Sequence, residues 1–270
     1  MLLSWVISGP LGLARAQEAV PPQLRAGQVF ESRFELPAEQ QRLAARGQPV
    51  AVTHGQLRLA LPQGFAAEHS LPVLLVSATS DPGYNSSRGL AALYEAVALD
   101  AGWAVLSVDA APVARPEDEG VALRFALLEA ALLSLRGPWP ALANSGLAFA
   151  GFSGGAKVSG SLAALFANQG AQLLGLFQGG INEETLAATA RLMPELPADF
   201  KRVPIVLAGG RTDPIATPVQ HRRVESDLRD AGFKQVRLLI VGGGHVVDPR
   251  PLGEALAWFA ALAAARGSAR

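Results

Sequence analysis

From Pro72 onward the chain repeats one pattern: a short, continuous apolar run ending in Gly, Ser, Asp or Pro, followed by a segment of helical spacing. The runs fall at Val73–Ser77, Ala104–Val108, Leu147–Gly151, Leu173–Phe177, Pro204–Ala208 and Gln235–Val241. Between them the spacing predicts helices over Ser87–Ala101, Glu117–Leu135, Gly155–Asn168, Pro218–Ala231 and Pro251–Ala264. Strands that are apolar without alternation must be buried on both faces, which crossover helices on either side of a parallel sheet provide. The pattern therefore predicts an α/β fold with an open, mostly parallel central sheet flanked by helices on both faces.

Two earlier stretches, Gln28–Leu36 and Val50–Leu61, alternate like half-buried strands and predict an antiparallel start. No repeat, low-complexity tract or interior linker divides the chain beyond them. The segment from Gly179 to Val203 holds a helix-like stretch, Glu183–Leu192, then Pro194 and Pro197; it is too small for a domain but could roof a site. At the N-terminus an apolar run, Met1–Leu13, is followed by Ala14-Arg15-Ala16, a small-x-small pattern of the kind read by a signal peptidase. Residues 1–16 are expected to be a signal peptide and 17–270 a single domain, periplasmic or secreted. A cytoplasmic chain with a frayed N-terminal helix is the alternative.

Lys plus Arg equal Asp plus Glu at 23 each, so no global field draws a polyanion and nucleic acid is not an expected partner. Cysteine is absent, which removes disulfides, thiolate metal sites and a cysteine nucleophile. After the N-terminal run, no apolar stretch reaches the ~20 residues of a membrane span.

Gly151-Phe152-Ser153-Gly154-Gly155 matches G-x-S-x-G, and it stands directly after an apolar run and directly before a helical one. A serine in such a strand-to-helix turn sits in strained backbone geometry, and side chains two positions away on either side would collide with strand and helix. The next helix carries Ala156, Gly160, Ala163 and Ala164 on a narrow face and directs its positive end at Ser153.

A serine hydroxyl needs a base, and the base needs an acid to fix its tautomer. Of the 4 histidines, His54 lies in an early strand pattern, His69 in a polar turn and His221 among the charged residues of a helix, all read as structural. His245 instead comes after Gly242-Gly243-Gly244 on a loop at a strand's carboxyl end, the edge where open α/β sheets bind ligands. The acid chosen is Asp213, in Gly209-Gly210-Arg211-Thr212-Asp213-Pro214 just beyond another strand; capping or stabilising the turn before the next helix is its structural alternative. Asp109 precedes the elbow in sequence, and Asp248 is better placed to hold its loop or cap the last helix.

With the elbow, Thr212-Asp213 and Gly244-His245 in this order, the chain from about Pro72 to its end resembles the α/β-hydrolase superfamily. Within it the chain is similar to small serine esterases of the dienelactone-hydrolase and polyester-depolymerase type. The resemblance implies Ser153 as nucleophile, His245 as general base then acid, and Asp213 as its orienting carboxylate. It also implies an oxyanion hole from the Gly154 N–H and a second N–H in the loop after the strand at Val73–Ser77, with Thr79 or Ser80 as candidates. That loop lacks the His-Gly pair common in relatives. Tyr84 and Asn85 could line a substrate channel or cap the next helix, and Gln178 is a candidate pocket residue.

No H-x-x-x-H, phosphate-binding loop or dinucleotide fingerprint is present, so neither cofactor nor metal is expected. The expected partner is a small-molecule or polymeric ester, and the expected reaction is ester hydrolysis through an acyl-enzyme. A peptidase, thioesterase or lactonase with the same triad, or a non-catalytic ligand-binding member of the fold, remains open on the sequence.

Overall fold

A computed structural model of the chain describes residues 23–46, 51–79, 85–111, 120–193 and 195–267. The elements run β1 (Val29–Glu35), α1 (Ala38–Ala44), β2 (His54–Ala60), β3 (Val73–Ser77), α2 (Ser87–Asp100), β4 (Ala104–Ala111), α3 (Val121–Leu135), β5 (Leu147–Phe152) and α4 (Gly154–Asn168). They continue with β6 (Leu173–Gly179), α5 (Leu186–Ala190), β7 (Ile205–Gly210), α6 (Pro218–Asp230), β8 (Val236–Val241) and α7 (Arg250–Gly267).

The eight strands of the described residues join one sheet in the order β1-β2-β4-β3-β5-β6-β7-β8. β2 pairs antiparallel with both β1 and β4, and every pair from β4 to β8 is parallel. The antiparallel start and the parallel remainder are as the apolar patterning requires. The chain leaves β3 toward β4 on one side and returns to β5 on the other, so the strand order reverses at β3/β5, where such sheets open a crevice beyond their carboxyl ends.

The burial follows the period of two. Val73 and Leu75 of β3, Phe149 of β5 and Ile205 and Leu207 of β7 enter one core layer with Leu127, Leu162 and Leu228 of the helices. Leu74, Val76, Ala150, Val206 and Ala208 enter the other, with Tyr94 and Leu90 of α2 and Leu256 and Phe259 of α7. Both faces are thus covered, which explains why these strands show no polar alternation.

Three differences from the sequence reading have local causes. The second alternating stretch yields a strand only from His54 to Ala60, and a helix that the sequence reading did not include, α1, precedes it; Val50 lies outside the described residues. That helix starts after Pro37 and is polar along most of its length; it is held by Gln40, whose amide donates to Glu129 Oε2 of α3 at 2.9 Å. The helix-like stretch at Glu183–Leu192 forms only the short α5, and Glu117 and the expected signal, residues 1–16, lie outside the described residues. No helix of the described residues is long and apolar enough to cross a membrane.

Candidate active site

Ser153 occupies the turn between β5 and α4 with φ 54° and ψ −120°, the only positive φ at a non-glycine among the described residues. Such backbone geometry costs on the order of 1–3 kcal/mol and persists only where its surroundings enforce it. Here the Ser153 N–H donates to Gly179 O of β6 at 2.8 Å, and α4 is tied down on the sheet by Ser159 Oγ donating to Ala150 O, also at 2.8 Å. Gly151 makes the close approach possible: a methyl there would overlap the Gly155 carbonyl and lie 2.7 Å from Ala156 N. Ser153 itself is half-buried.

Asp213 and His245 meet although they lie on separate loops. The imidazole Nδ1 stands 2.8 Å from Asp213 Oδ2, with the Asp213 side chain 0% and the His245 side chain 13% exposed. The two loops are cross-tied: Arg211 N donates to Val241 O at 2.8 Å, and Thr212 bonds Gly243 O through both its N–H and its hydroxyl at 3.0 Å. The other oxygen of Asp213 accepts the N–H groups of Ile215 and Ala216, each at 2.8 Å. Burial opposes the charge on Asp213, but the bonds from His245, Ala216 and Ile215 outweigh it and hold the carboxyl below its ordinary range. One oxygen of Asp213 thus serves its own turn, and the other faces the His245 ring.

The His245 ring packs on Phe152, the residue before Ser153, with centroids 4.7 Å apart. It also stands over Gly180, where an added methyl would come within 3.0 Å of its Cε1. The histidine is thus on the rim that carries the elbow. Phe152 as the platform for the ring was not singled out from the sequence, where it is the variable position of the elbow motif.

On the other flank of the elbow, Thr79 is buried and lies against Gly154: a methyl on Gly154 would overlap Thr79 Oγ1. Of the loop's other candidates, Ser80 and Tyr84 lie outside the described residues, and Asn85 is an exposed residue just before Ser86. Ser86 is the N-cap of α2, its Oγ accepting from Gly89 N at 3.1 Å and donating to Asp109 Oδ2 at 2.8 Å.

Gln178 does not reach the cleft. It is buried, and its amide donates to Ala156 O at 2.8 Å, tying β6 to the first turn of α4. His221 is structural, but it lies on the inner face of α6 and not on the polar face that its charged neighbours suggest: it is fully buried beneath Gly209, with Nδ1 donating to Thr217 O at 3.1 Å. Asp248 caps α7, accepting from Arg250 N at 3.0 Å. Beside the Asp213–His245 pair opens a cavity of about 250 Å³, lined by Tyr94, Phe152, Phe177, Gly180, Asp213 and Val246 among others.

No family model and no curated protein matches the sequence. Solved structures do match. An esterase of Rhizomucor miehei aligns over 90% of this chain and 86% of its own, at a TM-score of 0.57 and 16% identity. An α/β serine hydrolase without a lid from Xanthomonas campestris aligns over 88% and 95% (TM-score 0.55, 17% identity), and a dienelactone hydrolase of Anabaena variabilis over 86% and 95% (TM-score 0.52, 17% identity). A candidate dipeptidyl aminopeptidase IV of Bacteroides ovatus aligns over 86% of this chain, which spans only 36% of that longer protein (TM-score 0.55, 14% identity). The chain has the α/β-hydrolase fold.

Proposed function

We propose that this chain, built on the α/β-hydrolase fold, is a serine hydrolase of carboxylic esters that works through an acyl-enzyme. The observation that carries the reading is the pairing of His245 with Asp213 at 2.8 Å beside an elbow whose serine alone holds a positive φ among the described non-glycine residues. Structural needs alone explain neither the strain nor a histidine carried on a buried carboxylate at the sheet's carboxyl edge. The esterase and lidless serine hydrolase among the solved structures support the same class.

In this reading Ser153 Oγ attacks the ester carbonyl carbon while His245 Nε2 takes the hydroxyl proton. Asp213 keeps the Nδ1–H tautomer and stabilises the imidazolium. The negative charge on the carbonyl oxygen is met by the N–H groups of Gly154 and Thr79, at the positive end of α4. Collapse expels the alkoxide, which takes the proton from His245, and the same steps with water release the acid. The substrate is a small or polymeric ester, and the N-terminal apolar run supports a reaction outside the cytoplasm.

A fluorophosphonate should form one covalent adduct on Ser153, located by peptide mass spectrometry and lost in Ser153→Ala. Short p-nitrophenyl esters should be turned over with an acylation burst. A folded wild type that is neither labelled nor active on any ester would overturn the assignment.

A further inference from the structure

Arg124 stands out in α3 as a guanidinium 4% exposed in a helix otherwise buried through Leu123, Phe125, Ala126, Leu127 and Leu128. Holding a charge there is costly unless its hydrogen bonds accomplish something a Leu or Met would not. Its Nη1 donates to Ser87 Oγ at 2.9 Å, and the same oxygen accepts the backbone N–H of Ala78 at 3.1 Å. Both lone pairs of that hydroxyl are thereby engaged. Ser87 is in turn fixed from its main chain, its N–H donating to the buried carboxylate of Asp109 at 2.7 Å.

Ala78 immediately precedes Thr79, the residue that lies against Gly154. The two residues pass directly over the elbow: a methyl on Gly155 would come 2.8 Å from the carbonyl carbon of Ala78, and one on Gly154 would lie 3.6 Å from Thr79 Cα. Securing the Ala78 N–H on Ser87 therefore fixes where the next peptide, which carries the Thr79 N–H, sits against the elbow. We propose that Arg124 is a positioning residue for the oxyanion hole: through Ser87 Oγ it locks the Ala78 peptide and so aims the Thr79 N–H at the developing oxyanion. This rests on the hydrolase reading above. It also gives a physical reason why the loop can do without a His-Gly pair, since the orienting hydrogen bonds come from beneath it.

The test compares wild type, Arg124→Lys, Arg124→Met and Ser87→Ala in the burst phase with p-nitrophenyl acetate. The amplitude counts competent sites, and the rate constant reports acylation at each of them. Losing a whole oxyanion donor lowers rate by about 10²–10³. A donor that is misaimed rather than removed should lower the acylation constant per competent site by roughly 10- to 100-fold in Arg124→Met and Ser87→Ala, with KM within about twofold. Arg124→Lys, which keeps a donor but loses the planar fork, should fall between. Affinity for a trifluoromethyl ketone, which adds to the serine and places an oxyanion in the same hole, should fall in parallel.

A purely structural role predicts the opposite division: amplitude and melting temperature fall while the rate constant per competent site and the ketone affinity hold, and that result overturns the proposal. If Arg124→Met does not fold, Ser87→Ala decides alone, since it removes a single oxygen. A wild type that gives no acyl-enzyme on Ser153 would instead sink the hydrolase reading, and this inference with it.

Discussion

Replacing Asp213 by asparagine keeps the shape of the side chain and changes only which groups donate. One carboxylate oxygen accepts two N–H groups, from Ile215 and Ala216, and the other accepts from His245 Nδ1, all at 2.8 Å. The amide of an asparagine has one acceptor to offer. If its oxygen stays with the two backbone donors, its NH2 faces His245, which must then carry its proton on Nε2 and is useless as a base toward Ser153. The flipped amide would restore the imidazole but turn an NH2 against two backbone donors, at about 1–3 kcal/mol each when left unsatisfied. The wrong tautomer is therefore favoured by about 2–6 kcal/mol, which corresponds to a fall in kcat of roughly 30-fold to 2 × 10⁴-fold at 1.4 kcal/mol per decade. The upper end coincides with the ~10⁴ loss known for the same exchange in a serine-protease triad. KM should change little, because the Asp213 side chain is 0% exposed and both its oxygens are taken by groups of the protein. Burst kinetics on a p-nitrophenyl ester, with circular dichroism to show that the variant is folded, measures this. A folded Asp213→Asn enzyme within tenfold of wild type would refute the role given to the carboxylate.

Gly151→Ala should lower stability by about 3 kcal/mol or more, since its methyl meets backbone of α4 that no rotamer change can clear; thermal melting should show it, with Gly64→Ala, where nothing stands within 4 Å, as a silent control. Gln178→Leu should cost about 1 kcal/mol of stability by removing the bond to Ala156 O, yet leave KM for any turned-over ester unchanged. A rise in KM would return that residue to the cleft. Asp213 is held below its ordinary pKa in the folded state, so at acid pH the unfolded chain binds the proton first. Its contribution to stability is complete above the unfolded carboxyl pKa of about 3.9 and lost as pH falls below it. Denaturant titrations from pH 7 to pH 3 should accordingly show a steeper decline for wild type than for Asp213→Asn, and parallel curves would contradict the shift.

The strands from β3 to β8 were legible because burial on both faces leaves an unbroken apolar run, and the elbow because its glycines answer a steric demand at a strand-to-helix turn. The same burial hides side-chain direction. In β6 both faces are interior, so nothing local tells that Gln178 points toward α4 rather than into the cleft. His221 shows a signal that was present and outweighed: Gln220, Arg222 and Arg223 surround it in sequence, but it shares the spacing of Val224 and Leu228, the buried face of α6. The room it occupies comes from Gly209, whose missing side chain is visible only once β7 and α6 are packed. α1 had no apolar period to announce it, and its place is set by contacts with α3.

Distance from the sheet separates the site residues that strand register positions from those that loops position. Register aligns Ser77 with Gly151, Gly151 with Gln178, Gln178 with Leu207 and Leu207 with Leu238, one row across five parallel strands. Thr79 and Ser153 each lie two residues beyond that row, so strand register alone brings them side by side at the crevice where the strand order reverses. Asp213 and His245 stand further out, where a sheet no longer dictates position. Their 2.8 Å approach depends instead on the cross-ties from Arg211 to Val241 and from Thr212 to Gly243, bonds to backbone carbonyls that residue identities alone do not announce. The half of the candidate site that holds Ser153 is thus specified by topology, and the half that holds His245 by loop chemistry. A loop variant could separate His245 from Ser153 without disturbing a single strand.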